Sequence, residues 1–251
     1  MSERSEPLAP AFYALRGPDR RAGADWWILL HPPYTLWHLS YVAIGAAIAP
    51  RFDGGRLAAT LGAFLLAVGV CAHALDELNG RPLRTAIPAR LLALVAVVGL
   101  LGAVALGVVG LFRVGPGLAV FIVVGVVLTT GYNLELFGGR LHNDVTFAAA
   151  WGAFPVLTAY YAQAETLRLP ALAAAAGGYW LSAAQRALST PARTLRRRVG
   201  SVGGTITSRD GRVEPLSRAA LLAPLEAALR AMTWGLVALA TALVAHRLID
   251  G

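Results

Sequence analysis

The residues best suited to chemistry lie where a long apolar run turns abruptly polar. If a helix continues there, His73, Asp76 and Glu77 share one face, because residues three and four apart are neighbours on a helix. An imidazole and two acids at the end of a membrane helix cost several kcal/mol of desolvation when they are unpaired, so such groups indicate a functional site. Gly80 and Pro82 then end the predicted helix.

An internal repeat predicts a second acid at a similar helix end. Residues 75–81 align with residues 134–140, and in each segment an acid lies five residues before an arginine that follows a glycine. Two similar helix ends on one side of a membrane indicate a fold of repeated helix pairs. We therefore expect Asp76 and Glu135 to face one cavity.

A set of polar residues gathers at the mouth of this predicted cavity. Its carboxylates and imidazoles are candidates for catalysis and metal binding, and its arginines and amide are candidates for binding an anion. The alternative is that they are interfacial charges, which form helix caps and salt bridges. The candidate catalytic residues are Asp76, Glu77 and Glu135; the candidate substrate-binding residues are Arg81, Arg84, Arg140 and Asn133; the candidate metal ligands are His73, Asp76, Glu77, Glu135, His142 and Asp144.

The composition predicts a membrane protein that holds this site. Of 251 residues, 57% are hydrophobic and 14% are charged, which is too apolar for a soluble domain. We expect an all-α, polytopic transmembrane bundle of about seven to nine helices, since apolar runs of about 20 residues cross the hydrocarbon core. Residues 1–25 would form a cytoplasmic arm and 26–251 a single transmembrane domain. The predicted spans are 34–50, 57–78, 91–112, 117–136, 145–162, 169–184 and 231–247.

The basic residues predict the orientation of the chain. The net charge is +8, and all 22 basic residues are arginine. These arginines lie in short loops between apolar spans, which favours the positive-inside rule and argues against nucleic acid as a partner. With the amino terminus inside, sixteen arginines fall on inside segments and five on outside segments, with Arg230 unassigned. We expect an integral protein of a prokaryotic plasma membrane with a cytoplasmic amino terminus.

The long inside loop at 190–216 carries a hairpin signal. Apolar and polar residues alternate over 204–215 around Asp210 and Gly211, a pair typical of tight β-turns. We predict a small cytoplasmic β-hairpin at this position. The alternative is a disordered basic linker.

Three segments resemble those of UbiA-type intramembrane prenyltransferases. Residues 76–88, and above all Arg81-Pro82-Leu83, are similar to the segment after the first aspartate-rich motif of that family. Residues 27–33 and 132–155 resemble its opening helix and middle section, so the resemblance covers about 26–190. Asp76 matches the last aspartate of the first motif, whereas Ala72 stands at the preceding one. The second motif position, near 182–189, carries Gln185 and Arg186.

The resemblance implies a UbiA-like helical scaffold and a reaction. The family transfers an isoprenoid from its diphosphate to an aromatic or related lipophilic acceptor. Mg²⁺ and basic side chains would neutralise the leaving diphosphate. The acids outnumber the arginines of the predicted site, so we expect diphosphate binding to require divalent metal. The implied Mg²⁺ ligands are Asp76, Glu77, Glu135 and Asp144, and the implied phosphate contacts are Arg81, Arg84 and Arg140.

Two other functions stay open on the same scaffold. The mixture of imidazole and carboxylate suits iron, manganese or zinc better than magnesium, which predicts a different membrane metalloenzyme. A non-catalytic lipid-binding or assembly protein would keep the cavity without the chemistry. The predicted partner is a lipid or isoprenoid substrate, and the sequence identifies no protein partner.

Overall fold

The protein is a bundle of helices with one small β-hairpin. The computed structural model describes residues 23–249, so the predicted arm at 1–25 lies outside the described residues except for its last three positions. In chain order the elements are α1 (Ala24–Leu30), α2 (Pro32–Ala47), α3 (Gly54–Leu78), α4 (Ala89–Val114), α5 (Leu118–Asn133), α6 (Asp144–Ala164), α7 (Leu169–Arg197), β1 (Thr205–Thr207), β2 (Val213–Pro215) and α8 (Arg218–Ile249).

The long helices coincide with the apolar runs of the sequence. Within residues 23–249, each of the seven predicted spans falls on one of the helices from α2 to α8. Four of these helices, α3, α4, α6 and α8, are long and apolar enough to cross a membrane, and α5 is a shorter apolar helix. The predicted helical fold is confirmed, and these four helices are consistent with a membrane bundle, but within residues 23–249 the candidate spans are fewer than the seven predicted.

Two helices differ from the predicted spans. Helix α7 continues to Arg197, beyond the predicted end at 184, and α8 begins at Arg218, before the predicted start at 231. The α7 extension is largely polar, whereas the α8 extension carries Arg218, Glu226 and Arg230 among apolar residues. Charged residues thus interrupt the apolar runs on which the predicted ends rest. The two extensions are joined by an ion pair between Arg196 and Glu226.

The predicted hairpin is confirmed in the connection between α7 and α8. Strands β1 and β2 are antiparallel, and Ile206 lies opposite Glu214. Gly211 has φ 84°, the left-handed conformation that the turn requires. The backbone N–H of Arg212, together with its guanidinium, donates to Asp210 and holds the pKa of that carboxyl below its usual value.

Helix α2 lies at the centre of the bundle and packs against α3, α6, α7 and α8. Its side chains Trp37 and Tyr41 are buried, and Trp37 Nε1 donates to the Tyr41 hydroxyl at 2.9 Å. A Cβ atom at Gly45 would lie 2.3 Å from the carbonyl oxygen of Val156. Only glycine permits this approach of α2 to α6.

A π-helical turn at Ala149–Ala153 shapes the middle of α6. Pro155 has no N–H, so the carbonyl of Trp151, four residues earlier, lacks its α-helical donor. His38 of α2 supplies a donor instead, with Nδ1 at 2.7 Å from the Trp151 oxygen. The exchange joins α2 to α6 and fixes the backbone at Trp151.

The end of the bundle at the start of α3, which we call the far end, is closed by polar contacts. Asp53 caps α3 by accepting from the backbone N–H of Arg56 at 2.9 Å, and this bond holds the pKa of Asp53 below its usual value. Gln163 accepts from the Asp53 N–H at 2.8 Å and donates to its carbonyl at 3.0 Å. Arg247 donates to the carbonyls of Ala47 and Ala49 at the end of α2.

Two neighbouring glycines in α7 offer a matched test of this packing. A Cβ atom at Gly178 would lie 2.7 Å from the carbonyl oxygen of Gly152, whereas one at Gly177 would meet nothing within 4 Å. We expect Gly178→Ala to lower stability by about 1–3 kcal/mol, because α6 and α7 must separate. We expect Gly177→Ala to be neutral or stabilising by up to about 1 kcal/mol, because alanine favours helix.

The measurement is the denaturation midpoint of detergent-purified protein for the two single variants. Equal midpoints for Gly178→Ala and Gly177→Ala would contradict the close contact of α6 with α7.

Candidate functional site

A cavity of about 280 Å³ opens at the other end of the bundle, which we call the mouth end. Helices α2, α3, α5, α6, α7 and α8 and the loop after α3 contribute to its walls. The ends of α3 and α5, at which the two halves of the sequence repeat lie, meet here, because Asn79 Nδ2 donates to the carbonyl of Asn133 at 3.2 Å. Four of the predicted site residues line this mouth cavity: His73, Asp76, Asn133 and His142.

Asp76 is the predicted acid whose carboxylate stays available in the cavity. Among the described residues, no hydrogen bond or ion pair to its carboxylate occurs. It interacts electrostatically with His142, Arg193 and Arg186. A half-buried carboxylate with this freedom can bind a cation or accept a proton.

Glu77 faces the other way and holds the loop that follows α3. It is fully buried, and its oxygens accept from the backbone N–H groups of Leu83 at 2.9 Å and Thr85 at 2.7 Å. The Thr85 hydroxyl adds a third hydrogen bond at 2.9 Å. The structure thus gives Glu77 a set of partners within the chain, and Leu83 and Pro82 of the secured loop line the cavity.

The loop over 79–88 is held from two further directions. Arg81 has φ 52°, and its guanidinium donates to the carbonyl of Ile87 at 2.7 Å. Asp25 of α1 accepts from the N–H of Ala86 at 2.8 Å. Arg84, with φ 53°, is exposed on the outer side of the same loop. Arg81 therefore braces the cavity wall, and neither arginine lines the cavity.

The second half of the repeat forms the rim of the cavity. Gly80 and Gly139, which align in the repeat, both have positive φ, at 94° and 75°. The acids differ, since Asp76 lies within α3 whereas Glu135 lies after the end of α5 with φ 51°. Glu135 is exposed and lies 4.0 Å from Nδ1 of His142.

The residues after Glu135 complete this rim. The His142 ring stacks on Tyr132 with 4.5 Å between centroids. Arg140 is exposed, and its carbonyl accepts from Asn143 Nδ2 at 2.7 Å. Glu135 and Arg140 are thus near the cavity without lining it.

Helix α7 supplies most of the positive charge of the cavity, and its end beyond 190 falls where the sequence predicts a loop. Arg186, Arg193, Arg196 and Arg197 all line it. The first, second and fourth are spaced by seven and four residues, which places them on one helical face. This spacing is the signal in the sequence for an arginine-lined site. It indicates a shared helical face only if the helix extends beyond 184.

Two of these arginines are engaged by acids. Arg186 forms an ion pair with Asp144, donates to the Tyr132 hydroxyl at 3.0 Å and lies 4.8 Å from the centre of the Phe147 ring. Arg196 pairs with Glu226 of α8, with Nη2 2.6 Å from Oε2. These contacts fix α6, α7 and α8 around the cavity.

The other two arginines form no ion pair with an acid of the part of the chain that the structure describes. Arg193 makes a long hydrogen bond of 3.4 Å to the hydroxyl of Thr190, and no acid pairs with Arg197 among the described residues. Once the two ion pairs are set aside, Arg193 and Arg197 outnumber the single carboxylate of Asp76. The arrangement is suited to an anionic group, since guanidinium groups bind phosphate and carboxylate oxygens through paired hydrogen bonds.

The inner wall of the cavity is aromatic. Tyr34 lies between His38, at 4.4 Å, and His73, at 5.7 Å between ring centroids. Trp151 lines the same wall. Burial lowers the pKa of His31, at the start of α2, to about 3, so this ring adds no charge at neutral pH. An anion at the arginines would therefore adjoin apolar and aromatic surface.

The predicted metal ligands do not form a common protein cage. Within residues 23–249, no group of three or more His, Cys, Asp or Glu side chains is placed to hold a metal ion. Glu77 binds the loop, Asp144 pairs with Arg186, and Nδ1 of His73 lies 3.1 Å from the carbonyl of Gly69. Asp76 fits the one-carboxylate arrangement in which substrate phosphates complete the coordination of Mg²⁺.

No protein-family model, no curated protein and no solved structure matches this chain.

Substitution of Glu77 tests its position in the loop. We expect Glu77→Gln to weaken the loop and to expose Arg81 and Arg84 to trypsin, because a buried donor left without its acceptor costs about 1–3 kcal/mol. The measurement is the rate of tryptic cleavage at these two arginines in detergent-purified protein. Glu135→Gln, which removes an exposed acid at the same end, is the matched control. Equal cleavage rates for the two variants would contradict the bracing by Glu77.

Proposed function

We propose that this integral membrane protein is a UbiA-like, divalent-metal-dependent transferase, which binds a prenyl diphosphate in the mouth cavity and transfers its isoprenoid to a lipophilic acceptor. The observation that carries the proposal is that Arg193 and Arg197, which pair with no acid within residues 23–249, line the same cavity as the carboxylate of Asp76. The resemblance of residues 26–190 to that family supports the type of reaction.

Charge supports a diphosphate as the ligand. The cavity offers one net positive charge from Arg193, Arg197 and Asp76 together, and a diphosphate carries more negative charge than that. Asp76 would hold a divalent cation in this cavity, and the two positive charges of that cation would bring the total close to neutral. Unbalanced charge is costly at the edge of a low-dielectric bundle, so the three components bind together.

Bound Mg²⁺ would supply charge neutralisation for the departing diphosphate. The chain positions the other groups: Arg193 and Arg197 orient the phosphates, and the loop held by Glu77 covers them from water. The bond between the first isoprenoid carbon and the diphosphate oxygen breaks, and its electron pair leaves with the diphosphate. The acceptor forms the new bond to that carbon and loses a proton. Tyr34 and Trp151 present π-faces on which positive charge at the carbon is stabilised.

A non-catalytic lipid-binding or assembly function is the second candidate. It is favoured by Ala72 and by Gln185 and Arg186, which stand where the resembled family has aspartates. With a single available carboxylate, the cavity has fewer groups for chemistry than the sequence predicted. A site for iron, manganese or zinc would need His73 and His142 to join Asp76, and the metal content of purified protein tests this third function.

The orientation of the chain belongs to the proposal. The mouth end would face the cytoplasm together with the amino terminus, because sixteen arginines fall on that side in the predicted topology. The membrane would be the plasma membrane of a prokaryote. The ligand would then reach the cavity from the cytoplasmic leaflet.

Two adjacent arginines test the diphosphate site. Arg197 lines the cavity and Arg198 does not. We expect Arg197→Gln and Arg193→Gln each to weaken binding of geranylgeranyl diphosphate by about 10- to 100-fold, since a hydrogen bond to a charged group contributes about 1.5–3 kcal/mol. Arg198→Gln should bind normally. The measurement is thermal stabilisation of detergent-purified protein across ligand concentrations, and equal affinities for Arg197→Gln and Arg198→Gln would contradict the site.

Asp76 tests the metal and the reaction. We expect diphosphate binding by the unmodified protein to weaken with chelator, and Asp76→Asn to show this weak binding with Mg²⁺ present. Release of diphosphate in the presence of a lipophilic acceptor is the measurement of turnover. Binding that is equal with chelator would remove the metal bridge, and tight binding without turnover for any acceptor would favour the lipid-binding function.

Cysteine labelling tests the orientation. In a Cys71→Ala background, cysteines at Asn79, Asn143 and Gly203 should react together from the cytoplasmic side, and a cysteine at Asp53 from the opposite side. All four positions are exposed in the structure. Labelling of the cysteine at position 79 from outside would reverse the proposed topology.

A further inference from the structure

A second and larger cavity, of about 520 Å³, lies between α3, α4, α5 and α6. It begins at the far end and reaches inward to Val68 and Trp151, which line both this far cavity and the mouth cavity. These two side chains therefore form the wall between them. The volume falls in the range of about 300–1,000 Å³ that is usual for small-molecule sites.

The walls of the far cavity are apolar along most of its length. On α3 its lining includes Ala59, Ala63 and Ala67, which recur every four residues and leave space where larger side chains would fill it. Phe121 and Phe154 form the facing surface. When such a cavity is empty, the apolar side chains that line it lack dispersion contacts. A hydrocarbon chain bound in the cavity would provide these contacts.

Polar groups occur in the far cavity chiefly where it opens. Arg56 is fully engaged: it donates to the carbonyls of Ala162 at 3.1 Å and Arg113 at 2.6 Å and to the carboxylate of Glu165 at 3.1 Å. Asp53 caps α3 through the Arg56 N–H. Arg113 also lines the opening, where its charge interacts with that of Asp53, and within residues 23–249 its side chain makes neither a hydrogen bond nor an ion pair.

We propose that the far cavity binds a single-chain amphiphile with an anionic headgroup, such as a fatty acid or a monoacyl phosphate, with the chain among α3–α6 and the headgroup at Arg113. This site is separate from the diphosphate site, because it lies at the opposite end of the bundle beyond the wall of Val68 and Trp151. A guanidinium at the mouth of an apolar cavity selects for a negative headgroup on an apolar chain. The proposal does not depend on the function of the mouth cavity.

Cavity-filling variants test the chain site. We expect Ala63→Phe to weaken binding of oleate to detergent-purified protein by about tenfold or more, because the ring occupies the space of the chain. Ala58→Phe, an exposed position on the same helix outside the cavity, is the matched control. Ala103→Phe fills the same cavity from α4 and gives an independent variant, in case Ala63→Phe is not monodisperse by size exclusion.

Arg113→Gln tests the headgroup. We expect it to weaken oleate and monooleoyl phosphate by about tenfold while leaving oleyl alcohol unchanged, because only the anions use the guanidinium. Arg51→Gln, an exposed arginine at the same end, is the control. A preference for oleate over monooleoyl phosphate, or the reverse, distinguishes the two headgroup sources.

A photoactivatable fatty acid provides a measurement on the unmodified chain. Its cross-links should map by mass spectrometry to the cavity faces of α3 and α4. Equal oleate affinity for Ala63→Phe and Ala58→Phe, or cross-links confined to other helices, would overturn the proposal. Equal weakening of oleate and oleyl alcohol by Arg113→Gln would remove the headgroup contact.

Discussion

The mouth cavity depends on the burial of one carboxylate. Glu77 sits inside an apolar bundle with no exposed surface, and three hydrogen bonds from the loop after α3 satisfy it. A buried charge without partners is too costly to persist, so the loop must fold back onto α3. That constraint sets Pro82 and Leu83 as a wall. It also leaves Asp76, on the neighbouring position, as the acid that faces the cavity.

Much of the fold follows from the sequence because hydrophobicity and helix length are both local properties. Each apolar run became a helix, and the Asp210-Gly211 turn became the predicted hairpin. The end of α7 and the start of α8 did not follow, because charged residues interrupt the apolar run in both extensions, which Arg196 and Glu226 join by an ion pair. A salt bridge between residues far apart in sequence leaves no periodic signal.

The location of the site could be predicted from the sequence, but the set of side chains that line it could not. The repeat brought the ends of α3 and α5 together, as the contact between Asn79 and Asn133 shows. The roles of the charged residues depend on which partners fold beside them, and sequence proximity to an apolar run does not reveal this. Glu77 accepts hydrogen bonds from the loop and Asp144 pairs with Arg186. Arg193 and Arg197 line the cavity and form no ion pair with an acid within residues 23–249.

The charges of the protein are thus divided between two ends with different chemistry. At the mouth end, arginines of one helix face a carboxylate and aromatic rings. At the far end, Arg56 forms hydrogen bonds to backbone carbonyls and to Glu165, while Arg113 lies at the opening of the apolar far cavity. Val68 and Trp151 separate the two spaces, and the backbone at Trp151 is held by His38.

The bond from His38 to Trp151 exists because Pro155 withholds a donor. An amide N–H at position 155 would donate to the Trp151 carbonyl from within α6. The buried His38 ring would then lose the acceptor for its Nδ1–H. Conversely, if His38 were replaced while Pro155 remained, the Trp151 carbonyl would be left without a donor in apolar surroundings. The two positions therefore form an epistatic pair: a substitution tolerated at one depends on which residue occupies the other, and drift at either is restrained by its distant counterpart.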